Sequence, residues 1–329
     1  MTHRTAAATR RSALALTLAA LGGRAARAQP AGPFRPTRMI VPAPAGAAPD
    51  LAARLIAGGL SRRRGHPVAV ENRPGADGML GAEVFAQARP GEALFFSFAG
   101  PATIAAMMQE RLPYDPEADL VPIHATVTDF LGLSVAPTLP ARSVAEFVDH
   151  VRTRPGALNW FGSPGGPELN FRGFLRAAGG LDMVFVSYRG APPALLDLAG
   201  GRIHAALTPL APALPLAREG RIRLLAVTNP TRAPAAPEVS TAAEAGAPAL
   251  EIAGLLGLYG WRGMPEAARV ELAVQAQETL ADPGVGEHLR AAGMEPRGAS
   301  TPAAFAAELA AFRARWAVLA REFGARPPG

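Results

Sequence analysis

The chain has 329 residues and a formal charge of +6, with no cysteine and no lysine, so all 33 basic residues are arginine. This length gives room for one large or two ordinary domains, and the lack of cysteine excludes disulfides, thiolate zinc sites, iron–sulfur clusters and cysteine nucleophiles. Five of the arginines lie within the first 28 residues, so the remaining chain is nearly neutral and gives no electrostatic reason to expect a nucleic-acid partner.

The first 28 residues have the pattern of a secretory signal peptide. Arg10-Arg11 precedes an apolar run over residues 13–21, and Ala26-Arg27-Ala28 provides the small residues that signal peptidase requires for a cut before Gln29. An apolar run of this length is too short to cross a bilayer, which takes about 20 residues. We therefore expect residues 1–28 to be removed and the mature protein to be periplasmic, and the arginine pair leaves export by the twin-arginine route open.

Apolar, strand-like runs alternate with alanine-rich helical runs through the rest of the chain. Strands are predicted at residues 39–41, 68–70, 94–96, 183–188 and 224–228. Helices are predicted at residues 51–64, at residues 144–152 with Ser143 as the N-cap, and at residues 193–198 and 303–323. This alternation favours an α/β protein with mostly parallel sheets.

A loop of small residues joins the first predicted strand to the first helix. It reads Pro-Ala-Pro-Ala-Gly-Ala-Ala-Pro-Asp over residues 42–50, so a ligand could approach its backbone closely. Free amide groups and the helix dipole at a helix start together attract an anion, while Asp50 in the first turn favours the helix itself. A tight connection without a ligand fits the same residues equally well.

A second loop of this kind lies at residues 159–170, where Ser163-Pro164-Gly165-Gly166 follows a strand end and precedes a helix. It offers backbone amides and a serine hydroxyl. If the two loops face each other, they form a two-sided clamp for an anion. The glycines of residues 75–81 have the spacing G-x-x-G-x-x-G, which is not the dinucleotide-binding pattern G-x-G-x-x-G.

Several motifs occur in one order between residue 34 and the C-terminus, at residues 39–50, 71–83, 112–119, 156–159, 188–201, 224–228 and 237–246. In this order they resemble the substrate-binding proteins of the tripartite tricarboxylate transporters, the Bug (Bordetella uptake gene) family. The resemblance implies a type II periplasmic binding protein fold, the Venus flytrap. Its two α/β lobes would have mixed, mostly parallel sheets and two crossings, with lobe 1 at residues 34–132 and 252–329 and lobe 2 at residues 133–251.

The resemblance also implies a function. A monomer of this family, without cofactor or metal, would capture a small organic carboxylate between the lobes and deliver it to the permease subunits of a membrane transporter. Carried over to this sequence, the ligand-binding candidates are Ala45, Gly46, Ala47 and Ala48 in lobe 1 and Ser163, Gly165, Gly166, Asn170 and Thr208 in lobe 2. Asp50, Tyr188 and Asp197 stand at family motif positions and suit a structural role as readily as ligand contact.

The sequence departs from the family pattern where polar groups would line the cleft. The Gly-Gly-Thr of the first loop reads Ala47-Ala48-Pro49, a polar loop after the third strand reads Phe98-Ala99-Gly100-Pro101, and an Asp-Asn pair reads Thr208-Pro209. We therefore expect a ligand with fewer polar ends than citrate, such as a monocarboxylate or an aromatic acid.

Two other functions stay open. A periplasmic sensing subunit would present the same ligand to a sensor kinase, using the same closure of the lobes. An enzyme is disfavoured because the sequence has no G-x-S-x-G motif, its six histidines lack the H-E-x-x-H spacing of zinc sites, and no pair of carboxylates stands out as an acid–base couple.

Overall fold

The computed structural model describes residues 37–109, 111–163 and 165–323, with side chains as far as residue 321. The predicted signal peptide at residues 1–28 and its cleavage site lie outside the described residues. No helix within these ranges is both long enough and apolar enough to span a bilayer.

The secondary structure alternates along the chain as the sequence predicts. The strands are β1 (Thr37–Val41), β2 (Val68–Asn72), β3 (Ala93–Phe98), β4 (Val121–Asp129), β5 (Leu131–Val135), β6 (Asn159–Gly162), β7 (Val184–Phe185), β8 (Ala205–Pro209), β9 (Arg223–Val227), β10 (Gly254–Gly260) and β11 (Met294–Pro296). The helices are α1 (Ala48–Arg64), α2 (Met79–Ala86), α3 (Ala105–Met108), α4 (Val144–Arg152), α5 (Gly166–Ala177), α6 (Ala191–Ala199), α7 (Leu210–Arg218), α8 (Glu266–Leu280), α9 (Pro283–Ala291) and α10 (Pro302–Phe323).

The strands form two sheets, each of which is the centre of a lobe. The sheet of lobe 1 has the order β11-β4-β10-β3-β1-β2, and the sheet of lobe 2 has the order β7-β6-β8-β5-β9. The chain leaves lobe 1 at the end of β4, enters lobe 2 at Leu131, and returns to lobe 1 between β9 and β10. The expected fold of two α/β lobes with mixed sheets and two crossings is therefore confirmed.

Parallel pairing does not predominate, contrary to the expectation of mostly parallel sheets. Within the described strands, four pairings are parallel and five are antiparallel. The crossings explain this balance. The chain goes out through β4 and β5 and comes back through β9 and β10, so β10 lies antiparallel to β4 and β9 lies antiparallel to β5.

The central strands are buried on both faces, which explains their unbroken apolar runs. Met39 and Val41 of β1 face an apolar cluster beneath α1, α8 and α9, whereas Ile40 faces a second cluster beneath α2 and α10. The predicted strand at residues 183–188 is shorter than expected. Only Val184–Phe185 is a strand, because β7 lies at the sheet edge and pairs with β6 over two residues.

The two crossings are joined by side-chain hydrogen bonds. Asn229 Nδ2 donates to the Asp129 carbonyl oxygen at 3.2 Å, and Asn229 Oδ1 accepts from the Leu131 amide at 3.2 Å. Thr228 Oγ1 donates to the Ile252 carbonyl oxygen at 2.9 Å. The outgoing and returning segments are therefore fixed to each other where the lobes meet.

The C-terminal helix α10 packs against both lobes. It contacts β4 and α3 of lobe 1 and α5 of lobe 2. Its Trp316 is buried in an apolar cluster whose other buried members are Ile104 of lobe 1, Leu169 of lobe 2, and Leu131 and Ile252 at the crossings. This interlobe cluster joins the two lobes on the side where α10 lies.

Candidate ligand-binding site

The carboxyl ends of the main strands of both sheets meet at one edge of each lobe. In lobe 1, β1 and β3 are parallel, and β4 runs in their direction because both β3 and β4 pair antiparallel with β10. In lobe 2, β6 and β8 are parallel, and Pro209 at the end of β8 lies opposite Leu131 at the first crossing. The loops after these strands therefore border the cleft between the lobes, which is where open α/β sheets bind ligands.

The lobe 1 loop exposes little more than backbone. Residues 44–46 are exposed, and Gly46 has a φ of +81°, a left-handed conformation that favours glycine. Two of the predicted amide donors are already used, because Gly46 N donates to Asp50 Oδ2 at 2.8 Å and Ala47 N donates to the Pro44 carbonyl oxygen at 3.2 Å. Ala45 and the first-turn amide of Ala48 remain as donors for an anion.

Asp50 shapes this loop from inside the protein. Its carboxylate is buried and accepts hydrogen bonds from Gly46 N, Arg54 Nε at 3.0 Å and Asn72 Nδ2 at 2.9 Å. Asn72 Nδ2 also donates to the Ala43 carbonyl oxygen at 3.0 Å. Burial alone would raise the pKa of Asp50, but the bonds from Arg54, Gly46 and Asn72 outweigh it and lower the pKa. The geometry gives Asp50 a structural role.

Two hydroxyls without partners stand side by side on lobe 2. Ser163 follows β6, and its amide donates to the Leu207 carbonyl oxygen of β8 at 2.9 Å, so Ser163 lies next to Thr208. Both Ser163 Oγ and Thr208 Oγ1 are buried, and neither makes a hydrogen bond within the described part of the chain. Buried hydroxyls usually have partners, so each of these two groups can still form a hydrogen bond.

The two glycines of the lobe 2 loop differ in what surrounds them. Gly165 has a φ of +84°, and a Cβ built on it would lie 3.6 Å from Ile104 Cγ2 of lobe 1. A Cβ on Gly166 would lie 2.9 Å from Trp316 Cζ2 of α10. Gly165 therefore lies at the interlobe surface, whereas Gly166 makes room for the C-terminal helix.

The structure does not leave Asn170 available to a ligand. Its Nδ2 donates to the Leu250 carbonyl oxygen at 2.8 Å, and its Oδ1 accepts from Arg315 at 3.4 Å. Arg315 also donates to the Glu251 carbonyl oxygen. Asn170 lines a cavity of about 610 Å³ between α5 and α10. Its side chain links α5 to the second crossing and to the C-terminal helix.

Tyr188 and Asp197 bind each other. Tyr188 Oη donates to Asp197 Oδ2 at 2.8 Å, and Arg202 donates to Asp197 Oδ1 at 2.6 Å. Burial and the Asp197 carboxylate raise the pKa of Tyr188 to about 12. This network anchors the segment before α6 and leaves Tyr188 and Asp197 in structural roles.

Four charged residues at the same edge escaped the sequence analysis. Arg189, between β7 and α6, is exposed and makes no hydrogen bond or ion pair with any described residue. Asp77 follows β2, Glu168 lies in the first turn of α5, and Asp129 is the last residue of β4. Desolvation by the surrounding chain, followed by the nearby charge of Glu168, raises the pKa of Asp77. The signal for Asp129 was present, as a lone acid within the apolar stretch 120–135.

No group of His, Asp or Glu side chains suited to hold a metal ion occurs within residues 37–109, 111–163 and 165–323. The candidate site thus offers backbone amides, two hydroxyls, the guanidinium of Arg189 and the acids Asp77 and Glu168. These groups can bind and orient a small polar molecule.

The two lobes, their mixed sheets and the two crossings are the architecture of a periplasmic binding protein. Rpa4515 of R. palustris, solved with adipate, shares 31% identity and a TM-score of 0.82 over 89% of this chain and 98% of that protein. MatC of Rhodopseudomonas palustris, solved with bound malate, shares 27% identity and a TM-score of 0.78 over 87% of this chain and 99% of that protein.

The sequence narrows this class to one family. Residues 52–320 match the tripartite tricarboxylate transporter family receptor, TctC. Protein BugT of Bordetella pertussis is 32% identical over 301 residues, which cover 89% of this chain and 91% of that protein. The chain therefore belongs to the TctC family of tripartite tricarboxylate transporter receptors. Membership in a family of receptors confirms the expectation of a binding protein instead of an enzyme.

Proposed function

We propose that this chain captures a small organic carboxylate in the cleft between its lobes and delivers it to the membrane permease subunits of a tripartite tricarboxylate-type transporter. The observation that carries the proposal is the pair of buried, unpartnered hydroxyls of Ser163 and Thr208 at the cleft edge. Two solved relatives hold adipate and malate, and both molecules are carboxylates.

Both lobes have to contribute to the affinity. A micromolar ligand needs a binding free energy of about 8 kcal/mol, whereas one hydrogen bond contributes about 0.5–1.5 kcal/mol net and a helix start about 0.3–2 kcal/mol. The Ala45 and Ala48 amides on one side, and Ser163, Thr208 and Arg189 on the other, supply the several donors that are required. The proposal therefore includes closure of the two lobes on each other about the crossings near residues 133 and 252.

We also infer the ligand class and the compartment. On the lobe 1 side, Ala45, Ala47 and Phe98 offer no side-chain hydrogen-bond donor, and the acid Asp77 of this lobe would repel a second carboxylate on the ligand. We infer a monocarboxylate or an aromatic acid with fewer polar ends than citrate. The leader at residues 1–28 would send the chain to the periplasm, as a monomer cut before Gln29.

The test uses protein that begins at Gln29 in a thermal-shift screen of about a hundred organic acids, followed by calorimetry on the hits. Ligand that binds the folded state raises Tm. We expect Ser163→Ala and Thr208→Val each to weaken a hit about tenfold, since each removes one hydrogen bond to a charged group.

Ser134→Ala is the matched control for both variants. Ser134 of β5 also has a buried hydroxyl without a partner among the described residues, but it lies within the sheet opposite Ala206, away from the cleft edge. We expect this variant to bind the hit as the wild type does. Tight citrate binding without binding of any monocarboxylate would contradict the inferred ligand class, and no hit in the screen would contradict the function.

A further inference from the structure

We infer that the cavity between α5 and α10 is a second binding site, outside the cleft, and that it takes a fatty acid, an acyl chain with one terminal carboxylate. This second site does not depend on the proposed function, because its walls are separate from the loop groups assigned to the ligand of the cleft. Three features of the cavity lead to this ligand: its position between the two lobes, its apolar wall, and its positive charge.

One face of each helix lines the cavity, which has a volume of about 610 Å³ and so falls in the range of small-molecule sites. The lining residues recur at intervals of three or four along each helix and therefore share a face. Because α5 belongs to lobe 2 and α10 belongs to lobe 1, a molecule in the cavity would touch both lobes. The lining residues include Asn170, Gly173 and Ala177 on α5, and Arg315, Val318 and Leu319 on α10.

Most of the cavity wall is apolar and open to solvent. Val318 is 55% exposed and is one of seven exposed large apolar residues in the described part of the chain. Ala177 and Ala249 beside it are exposed as well. Gly173 lies in the interior of α5, where glycine is unfavourable for a helix, and it leaves space that a side chain would fill. Exposed apolar surface that lines a cavity is typical of a binding site.

The charge of the cavity is positive. Arg176 and Arg315 both line it, and none of its described lining residues is acidic. Arg315 donates only through Nη2, to Asn170 Oδ1 at 3.4 Å and to the Glu251 carbonyl oxygen. Both acceptors are neutral, and Arg315 forms no ion pair within the described ranges. Its Nε and Nη1 hydrogens therefore remain for an anion.

Desolvation by the surrounding chain lowers the pKa of Arg315, although the charge of Glu251 acts in the opposite direction. A guanidinium that is partly withdrawn from water gains most from a charged acceptor. A carboxylate supplies this acceptor, and an acyl chain covers Val318 and Leu319. A neutral hydrocarbon would leave the guanidinium without an anion, and a second carboxylate would lie unfavourably against the apolar wall.

The test is calorimetry on protein that begins at Gln29, with hexanoate, octanoate, decanoate and dodecanoate as probes. Decanol and decyltrimethylammonium are the neutral and the cationic counterparts of decanoate. We expect the affinity to rise about fourfold per buried methylene until the chain fills the cavity, and decanoate to bind at least tenfold more tightly than either counterpart. Affinity that is independent of chain length, or equal affinity for decanoate and the cation, overturns the inference.

Arg315→Gln tests the contact with the carboxylate. It should weaken decanoate at least tenfold and change the affinity for decanol less than twofold, because it removes the charge and leaves the apolar wall. Weakening of both probes to the same extent would show that Arg315 only supports the packing of the cavity, and would overturn its role in binding the anion.

Val318→Glu places an acid on the cavity wall and should also weaken decanoate at least tenfold. Val274→Glu is the matched control, because Val274 is 49% exposed on α8 and does not line the cavity, and it should bind decanoate as the wild type does. The melting curve of each variant establishes folding. If Arg315→Gln does not fold, Val318→Glu decides, and wild-type affinity of this variant for decanoate overturns the site.

The cleft variants separate this site from the proposed function. Ser163→Ala and Thr208→Val should bind decanoate as tightly as the wild type. Weaker binding of decanoate by both variants would place the acyl chain in the cleft, which overturns this inference and leaves the proposed function intact. If decanoate binds as expected and no acid of the larger screen binds to the cleft, the proposed function fails and the second site stands.

Discussion

Trp316 of the C-terminal helix lies directly against Gly166, the first residue of α5, so that a Cβ at position 166 would approach Trp316 Cζ2 to 2.9 Å. This contact joins the loop that carries Ser163 to a helix that begins on lobe 1. The position of the lobe 2 loop therefore depends on a residue 150 positions away in the chain.

Trp316→Ala should destabilise the protein strongly. The change leaves a cavity in the interlobe cluster, and losses of about 3–5 kcal/mol in the free energy of unfolding are typical of such truncations. Gly166→Ala should cost less, because the Trp316 ring has to shift by only part of an ångström. Urea unfolding measures both, with Val318→Ala as control, since Val318 is 55% exposed. Equal losses for Trp316→Ala and Val318→Ala would refute this role of the cluster.

Asn229→Ala should loosen the crossings. The change leaves the Asp129 carbonyl oxygen and the Leu131 amide without their side-chain partner, at an expected cost of about 1–3 kcal/mol. Hydrogen exchange of the Leu131 amide should accelerate, while the amides of β1, far from the crossings, keep their protection relative to global unfolding. Unchanged exchange at Leu131 would show that Asn229 does not fix this point.

Asp50→Ala should weaken both the fold and the lobe 1 loop. Its carboxylate is buried and holds the Gly46 amide, Asn72 and Arg54, so we expect a loss of about 3 kcal/mol, as for a broken buried ion pair. Arg54→Ala should cost less, because the Arg54 side chain is 53% exposed. The folded pKa of Asp50 is lowered, so its stabilisation is present above its ordinary pKa of 3.8 and is lost as the pH falls below it. Denaturant titrations at pH 7 and pH 3 measure this difference.

His124 should make the protein less stable in mild acid. It is fully buried, neither ring nitrogen has a partner within the described residues, and burial, followed by the charge of Arg297, lowers its pKa to about 4. Between pH 6.5 and pH 4 the unfolded chain binds a proton that the folded chain does not. The free energy of unfolding therefore decreases as the pH is lowered through this window, by about 3 kcal/mol in total. His124→Gln should remove most of this slope in melting experiments. A slope that is the same in both proteins would exclude His124 as its source.

Asp129 should have the opposite effect on the pH dependence of stability. Its folded pKa is raised to about 7, so the folded state holds a proton that the unfolded state releases between pH 4 and pH 7, and stability falls as the pH rises through this window. Asp129→Asn should therefore stabilise the ligand-free protein at pH 8 and have little effect near pH 4. Lower stability of this variant at pH 8 would mean that Asp129 has an internal partner.

Local sequence signals predicted helix boundaries well where a single residue, such as an N-cap, determines the boundary. Helix α4 spans Val144–Arg152 as predicted, and its N-cap Ser143 accepts from the Glu146 amide at 3.1 Å. The order of strands and the antiparallel pairing at the crossings were not predictable in this way, because they depend on contacts between distant segments. The family resemblance supplied the lobes, since it carries information on those contacts.

The sequence predicted which loops form the candidate site, but not which of their groups are free to form hydrogen bonds. Sequence placed Ser163 and Thr208 correctly at strand ends, yet it could not tell that Asp50 occupies the Gly46 amide or that Leu250 and Arg315 occupy Asn170. Those hydrogen bonds depend on side-chain geometry, which residue spacing does not encode. The absence of a partner for Asp129 Oδ1 among the described residues was hidden for the same reason.

Because α10 contacts both lobes, it should affect the rate at which a ligand is released. Any swing that parts the lobes has to pull Trp316 away from Leu169 or from Ile104, so the opening step loses apolar contacts that no ligand atom makes. The dissociation rate of a bound ligand should therefore depend in part on these apolar contacts of α10. Trimming this helix before Arg315 should speed release more than it slows capture, which stopped-flow measurements of the two rates would reveal.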